Sequence, residues 1–158
     1  MKPLFNFLML MLVFATAGLA QSENKEDLIK EAIESKQYVF KARSVIPATG
    51  PTRQLTSEYD LTVNKDSIIA YLPYFGKAYQ ASIGKTSDGI NFTATKFSYK
   101  VSEGKKGGWQ IDVKLKDADD VRQLNLNLSK DGYGTLHINN QNRQPISYTG
   151  KVEPLTKE

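Results

Sequence analysis

The sequence contains no cysteine and a single histidine, His137, among its 158 residues. The missing thiols exclude disulfides, thiolate metal sites and cysteine nucleophiles, and one histidine cannot build a multi-histidine metal centre. Basic residues exceed acidic ones by only 21 to 17, and the two signs alternate along most of the chain, whereas a nucleic-acid surface needs clustered cations. We therefore expect no metal, no other cofactor and no nucleic-acid partner.

The first twenty residues have the three-part pattern of a secretory signal peptide. Lys2 supplies a positive start, an apolar run follows, and Gly18 and Ala20 stand at the −3 and −1 positions of a cleavage site. The apolar run is shorter than the ~20 residues of a membrane-spanning helix, so a retained anchor is the less favoured alternative. The sequence predicts an exported protein, periplasmic or secreted, with a signal peptide at 1–20, cleavage after Ala20, one domain at 21–158 and no membrane span in the mature chain.

Residues 23–36 are predicted to form a helix at the start of that domain. Leu28, Ile29, Ala32 and Ile33 repeat at the spacing of one helical face. A helix of this length is only marginally stable alone in water, so its apolar stripe must pack against the rest of the domain.

After Gln37 the sequence alternates between apolar and polar side chains, which is the period of half-buried β-strands. The strictest alternation begins at Trp109, which we expect to anchor the core, and a change of parity predicts a β-bulge near Thr95 and Lys96. Runs rich in glycine, asparagine and aspartate separate the strands and are typical of tight turns. The sequence predicts a mainly β fold, a curved antiparallel meander of about eight or nine strands that forms a barrel or a sandwich.

The segment at 71–79, YLPYFGKAY, contains the most unusual turn of the sequence. Pro73 and Gly76 favour a four-residue hairpin loop, across which Tyr71 would pair with Ala78. Turns are usually polar, yet this one has aromatic residues within it and on both flanks. One interpretation is a platform that binds a ligand, and the other is an aromatic plug at one end of the core. The candidate ligand-binding residues are Tyr71, Tyr74, Phe75 and Tyr79.

Arrangements that could support catalysis are sparse. Glu58 and Asp60 lie two apart on one predicted strand and hence on one face, although a solvated strand face is the more ordinary explanation of such a pair. The aspartates at 117–120 lack the spaced ligands of a dedicated calcium site. His137 has no thiol or second histidine to act with, and we expect it to lie on a strand surface.

Three blocks of the sequence resemble a family of exported bacterial proteins, domain of unknown function 4251. The blocks are residues 71–79, 92–99 and 142–150, with the sequences YLPYFGKAY, FTATKFSY and NRQPISYTG, and the first is the most distinctive. The resemblance covers nearly the whole mature chain and implies an envelope or secreted protein of Bacteroidota-type bacteria. It implies no activity, and no functional residue is carried over from it.

These observations favour an exported, non-catalytic β-domain that binds a small apolar or sugar-like ligand or a protein partner of the envelope, since curved sheets often hold one small ligand. A metal-independent envelope hydrolase that uses aspartate, glutamate or tyrosine is the first alternative. A structural or inhibitory envelope protein is the second. A cavity lined by the aromatic residues of 71–79 would favour the binding function.

Overall fold

The computed structural model describes residues 25–78 and 89–155. Helix α1 spans residues 25–35, within the predicted 23–36, while the predicted signal peptide at 1–20 lies outside the described residues. In the described ranges no helix is long and apolar enough to cross a bilayer. The strands are β1 (Tyr38–Pro47), β2 (Arg53–Val63), β3 (Ile68–Pro73), β4 (Gly89–Ala94), β5 (Phe97–Glu103), β6 (Trp109–Leu115), β7 (Val121–Leu128), β8 (Tyr133–Asn140) and β9 (Ile146–Pro154).

The nine strands form one antiparallel sheet in the order β4-β3-β2-β1-β9-β8-β7-β6-β5. Strand β1 lies at its centre because it pairs with β2 on one side and with β9, the last strand, on the other. The two edge strands, β4 and β5, follow one another in sequence. The predicted curved antiparallel meander is confirmed, and the sheet curls into a nearly closed barrel whose opening lies between β4 and β5.

The change of parity at Thr95 and Lys96 is a turn between β4 and β5 rather than the predicted bulge. One carboxylate oxygen of Asp117 accepts hydrogen bonds from the Thr95 amide at 2.9 Å, the Thr95 hydroxyl at 3.0 Å and the Lys96 amide at 3.0 Å. These bonds, the Thr95 amide foremost, lower the pKa of Asp117. Asp117 therefore holds the turn at the opening of the barrel.

Within the described ranges, no group of three or more histidine, aspartate and glutamate residues could hold a metal ion.

The core fills the inside of the curled sheet and continues beneath α1. Three residues of the predicted helical stripe, Ile29, Ala32 and Ile33, are buried, whereas Leu28 remains half exposed. The Tyr99 hydroxyl on β5 donates to the carbonyl oxygen of Ile33 at 3.0 Å and so ties the end of the helix to the sheet. Burial of each isoleucine side chain contributes roughly 1.5–3 kcal/mol, which stabilises a helix too short to persist alone.

Trp109, expected to be a core anchor, is only half-buried. It is the first residue of β6 and is separated by Gly108 from the 3₁₀ turn Lys105–Gly107, so it lies where the strand begins rather than in its middle. The largest fully buried side chains are instead Tyr38, Tyr148 and Phe40. Alternation alone identified the inward face of the strand but not how deep each position lies.

Two glycines, Gly134 on β8 and Gly150 on β9, lie directly opposite one another in the sheet. A Cβ atom on Gly150 would collide with the carbonyl oxygen of Lys41 and would lie 2.8 Å from the ring of Phe40. A Cβ atom on Gly134 would likewise collide with a backbone carbonyl oxygen of β7. Next to Gly150 the register of β1 shifts by a bulge. The glycines and the bulge together let neighbouring backbones approach closely, which allows the sheet to curl.

Three tyrosines of the core make the folded state sensitive to alkaline pH. Burial raises the pKa of Tyr38 well above its usual 10.0, raises the pKa of Tyr99 to about 12 and raises the pKa of Tyr148. As the pH rises above about 10, the unfolded chain loses phenolic protons that the folded chain keeps, so stability is full below that pH and falls above it. We expect urea unfolding midpoints to drop between about pH 8 and about pH 11.

Variants test the origin of this alkaline effect. Tyr99→Phe should make the free energy of unfolding less dependent on pH, because one raised pKa is removed. Phe40→Leu should lower the free energy of unfolding by a similar amount at about pH 8 and at about pH 11, because it removes no titrating group. An unchanged pH dependence in Tyr99→Phe would contradict the assignment.

Candidate binding cleft

The aromatic segment that follows β3 does not form the predicted four-residue hairpin. Tyr71 pairs with Asn91 rather than with Ala78, and the connection from β3 to β4 runs over residues 74–88. This register places buried Leu72 opposite buried Ile90, and it does the same for Ile68 and Ala94 at the other end of the pair. Burial of the apolar set on both strands therefore outweighs the local preference for a tight turn.

Tyr71 lies on the outside of the sheet and is 57% exposed. Its ring stacks on that of Tyr59, with ring centroids 5.6 Å apart and an angle of 26° between the planes. Tyr59 is half-buried, although its parity in β2 matches that of the buried Leu61. Beside Tyr59 the ladder between β1 and β2 shifts register, and extra residues of β2 bulge there. Bulges redirect side chains, which accounts for the contact between these two rings.

A cleft of about 270 Å³, here named the aromatic cleft, lies beside this stacked pair. It contains Tyr74 and Phe75, both half-buried, and the side-chain amide of Asn91. Three of the four predicted ligand-binding residues thus lie together, while Tyr79 is outside the described residues. The residues that line the cleft are Tyr59, Tyr71, Leu72, Pro73, Tyr74, Phe75, Gly89 and Asn91.

Tyr74 is held by its hydroxyl group and by its ring. The hydroxyl lies 3.1 Å from the carbonyl oxygens of both Lys77 and Gln144, to either of which it can donate. The guanidinium of Arg143 lies 4.7 Å from the ring centroid, within the range of a cation–π contact. Tyr74 thus joins the aromatic segment to the loop between β8 and β9, which is a supporting role closer to the predicted plug than to a free platform.

Arg143 links this loop to two further parts of the fold. Its Nε donates to a carboxylate oxygen of Asp120 at 2.6 Å, and its Nη1 donates to the carbonyl oxygen of Gly89 at 3.1 Å. Both side chains of the ion pair are mostly buried, with exposures of 18% and 19%. Asp120 also accepts a hydrogen bond from the backbone N–H of Asn142 at 2.8 Å. Arg143 therefore fixes the wall of the aromatic cleft that Tyr74 and Gly89 form.

Tyr148 supports the floor of the cleft from inside the barrel. Its hydroxyl donates to the carbonyl oxygen of Pro73 at 2.6 Å, and burial raises its pKa, so it remains a neutral donor at physiological pH. The backbone at Pro73 is thereby fixed just before Tyr74 and Phe75. One short segment thus presents Tyr71 to solvent and is held to the rest of the fold through the carbonyl of Pro73 and the hydroxyl of Tyr74.

A second cleft, here named the basic cleft, has a volume of about 230 Å³ and lies against the same Phe75. The guanidinium of Arg53, at the start of β2, lies 4.8 Å from the Phe75 ring centroid. Lys77 also lines this cleft, together with the turn between β1 and β2. Neither Arg53 nor Lys77 was predicted as a site residue, because each is an ordinary surface cation in the sequence. Lys77 is two residues from Phe75 in the chain, whereas only the tertiary structure brings Arg53 to that ring.

The residues considered for catalysis are not brought together. Glu58 is exposed on β2, and Asp60 is half-buried there opposite Tyr71. His137 lies on β8, where its Nδ1 is 2.8 Å from the hydroxyl of Ser147. Strands β1 and β9 separate β2 from β8, so the histidine and the two carboxylates lie on different parts of the sheet.

Comparisons with known proteins support the fold and identify the family of the chain. No curated protein matches the chain. The crystal structure of a DUF4251 family protein from Bacteroides eggerthii DSM 20697 is similar, with a TM-score of 0.60 and 21% identity over 82% of this chain and 87% of that one. At that identity the likeness shows the fold alone. The family described as "Domain of unknown function (DUF4251)" matches residues 20–152, and the chain therefore belongs to the DUF4251 family.

Proposed function

We propose that the protein is an exported, non-catalytic domain that binds a sugar-like ligand in the aromatic cleft. The observation that carries this proposal is the stacked pair of Tyr59 and Tyr71, with Tyr71 57% exposed at the edge of the cleft. A large aromatic ring left in water on a strand surface, beside a concave site, is characteristic of a binding surface. The pattern of residues 1–20 supports the exported location.

The chemistry of the lining suits a sugar better than a purely apolar molecule. The C–H faces of a pyranose ring can stack on Tyr71, while its hydroxyl groups can bond to the amide of Asn91 and to tyrosine hydroxyls. The cleft is open to solvent, so hydroxyl groups that point away from the protein keep their water, whereas an apolar ligand would remain partly hydrated. Its volume, about 270 Å³, suits a single ring or a short stretch of a longer chain.

The same lining argues for binding rather than hydrolysis. No aspartate, glutamate or histidine is among the residues that line the aromatic cleft in the described part of the chain. A metal-independent glycoside hydrolase needs two carboxyl groups on either side of the bond it cleaves. Asp60 pairs with Tyr71 across the ladder and does not face a second carboxylate in the cleft.

The test is a titration of neutral oligosaccharides of several compositions, followed by NMR chemical shifts and calorimetry. Tyr71→Ala should weaken binding about tenfold, since loss of one aromatic contact is worth about 1–1.5 kcal/mol. It also removes the stack on Tyr59, so it should lower the free energy of unfolding by about 0.5–1.5 kcal/mol and leave the protein folded.

The matched control is Tyr133→Ala, which removes a tyrosine of similar exposure, 43%, from β8. It should leave saccharide binding unchanged. Equal losses in the two variants, or the absence of binding by the wild-type protein to every saccharide, would overturn the proposal.

A further inference from the structure

The aromatic cleft and the basic cleft share one wall, the ring of Phe75. A ligand that stacks on Tyr71 can therefore continue past Phe75 toward Arg53. The two clefts differ in chemistry, because the first holds tyrosines and an amide, whereas the second holds Arg53 and Lys77. Their adjacency indicates one extended site with a neutral part and a cationic part.

Arg53 is arranged to receive an anion. Its guanidinium lies over Phe75 at 4.8 Å from the ring centroid, a cation–π contact that holds the planar group beside the cleft. Within the described ranges, neither the guanidinium of Arg53 nor the ammonium of Lys77 forms an ion pair. Among the described residues that line the basic cleft, none is acidic and could neutralise these two cations.

We infer that the extended site binds an acidic saccharide, with a sugar ring on Tyr59 and Tyr71 and a carboxylate or phosphate group in the basic cleft beside Arg53 and Lys77. The inference rests on the proposed function and adds the charge of the ligand to it. A planar, oriented guanidinium favours oxyanions, with which it forms two parallel hydrogen bonds. Because Phe75 lines both clefts, the anion lies on the stacked sugar or on the next unit of the chain.

The experiment compares each acidic oligosaccharide with its uncharged counterpart. An oligogalacturonide and its methyl ester form the carboxylate pair, and a phosphorylated oligomannoside and plain oligomannoside form the phosphate pair. We expect the wild-type protein to bind at least one acid about tenfold more tightly than its neutral counterpart at low salt, and the preference to shrink as salt rises. The pair that shows the preference identifies the anion.

Arg53→Gln should remove most of the preference for the acid, with Lys77 as the remaining cation of the cleft, while it leaves the binding of the neutral counterpart unchanged. The matched control is Arg122→Gln on β7, an exposed arginine that lines neither cleft, and it should preserve the preference. Tyr71→Ala should weaken the acid and its neutral counterpart by the same factor.

The outcomes separate the two proposals. If neutral oligosaccharides bind and no acid binds more tightly, the acidic-ligand inference is overturned and the saccharide-binding function stands. An undiminished preference in Arg53→Gln also overturns the inference. If no oligosaccharide of either kind binds, the proposed function itself is overturned. Loss of most of the preference in Arg53→Gln alone, with Arg122→Gln unaffected, supports the inference.

Discussion

Gly150→Ala is expected to lower the free energy of unfolding by about 3 kcal/mol, a large effect for the addition of one methyl group. The added Cβ atom would collide with the carbonyl oxygen of Lys41 in the adjacent strand and with the ring of Phe40. A backbone atom in the middle of a sheet cannot move aside as a flexible side chain can, so the strands β1 and β9 must separate locally. Urea unfolding followed by the fluorescence of Trp109 measures the loss.

Two further variants separate the sources of this loss. In a double-mutant cycle, Gly150→Ala should cost less in a Phe40→Leu background than in the wild-type protein. Most of its cost should remain, because the collision with the carbonyl oxygen of Lys41 is still present. Gly50→Ala adds a Cβ atom that meets nothing within 4 Å, but at a φ of 106°, so its cost should be about 1 kcal/mol of backbone strain. A Gly150→Ala protein with the wild-type midpoint would show that the sheet can adjust.

Arg143→Ala is expected to lower the free energy of unfolding by about 3 kcal/mol and to weaken saccharide binding as well. The substitution leaves the carboxylate of Asp120 mostly buried without its cation and the carbonyl of Gly89 without its donor. It also removes the cation stacked on Tyr74, so the wall of the aromatic cleft loses a support. Chemical unfolding and the titration of neutral oligosaccharides measure the two effects.

The loss of stability expected for Arg143→Ala depends on the geometry of the guanidinium group as well as on its charge. Arg143→Lys should recover little of the stability, because an ammonium group cannot reproduce the two bonds that Nε and Nη1 make in different directions. Arg122→Ala, at an exposed position, should change the free energy of unfolding by no more than about 0.5 kcal/mol. Full stability in Arg143→Lys would mean that the positive charge, and not the geometry of the guanidinium, fixes the loop.

The strands could be predicted from the sequence because the period of two residues is a local property. Ile111, Val113 and Leu115 alternate with polar residues, and all three are buried in β6. Closure of the sheet could not be predicted, because it depends on the pairing of β1 with β9, which lie far apart in the chain. The parity change at Thr95 and Lys96 was detected, but a turn and a bulge produce the same change of phase.

The candidate site was predicted in part for the same reason. The aromatic content of residues 71–75 was visible in the sequence, and the exposure of Tyr71 follows from the period of β3. The partners of these residues were not predicted, because the stacking of Tyr59 depends on the irregular register of β2. The prediction of a four-residue hairpin is wrong because the burial of Leu72 opposite Ile90 on β4 outweighs the local preference for a tight turn.

The pairing of the first and last strands has a consequence for the order in which the molecule can assemble. During synthesis β1 emerges early, yet one of its two neighbours, β9, is made only when residues 146–154 are complete. Until then the central strand of the sheet keeps a free edge, and the residues that pair between β1 and β9 lie about one hundred positions apart or more, such as Tyr38 and Pro154. Contacts of such long range slow folding. The complete sheet can therefore form only after the last strand has been made.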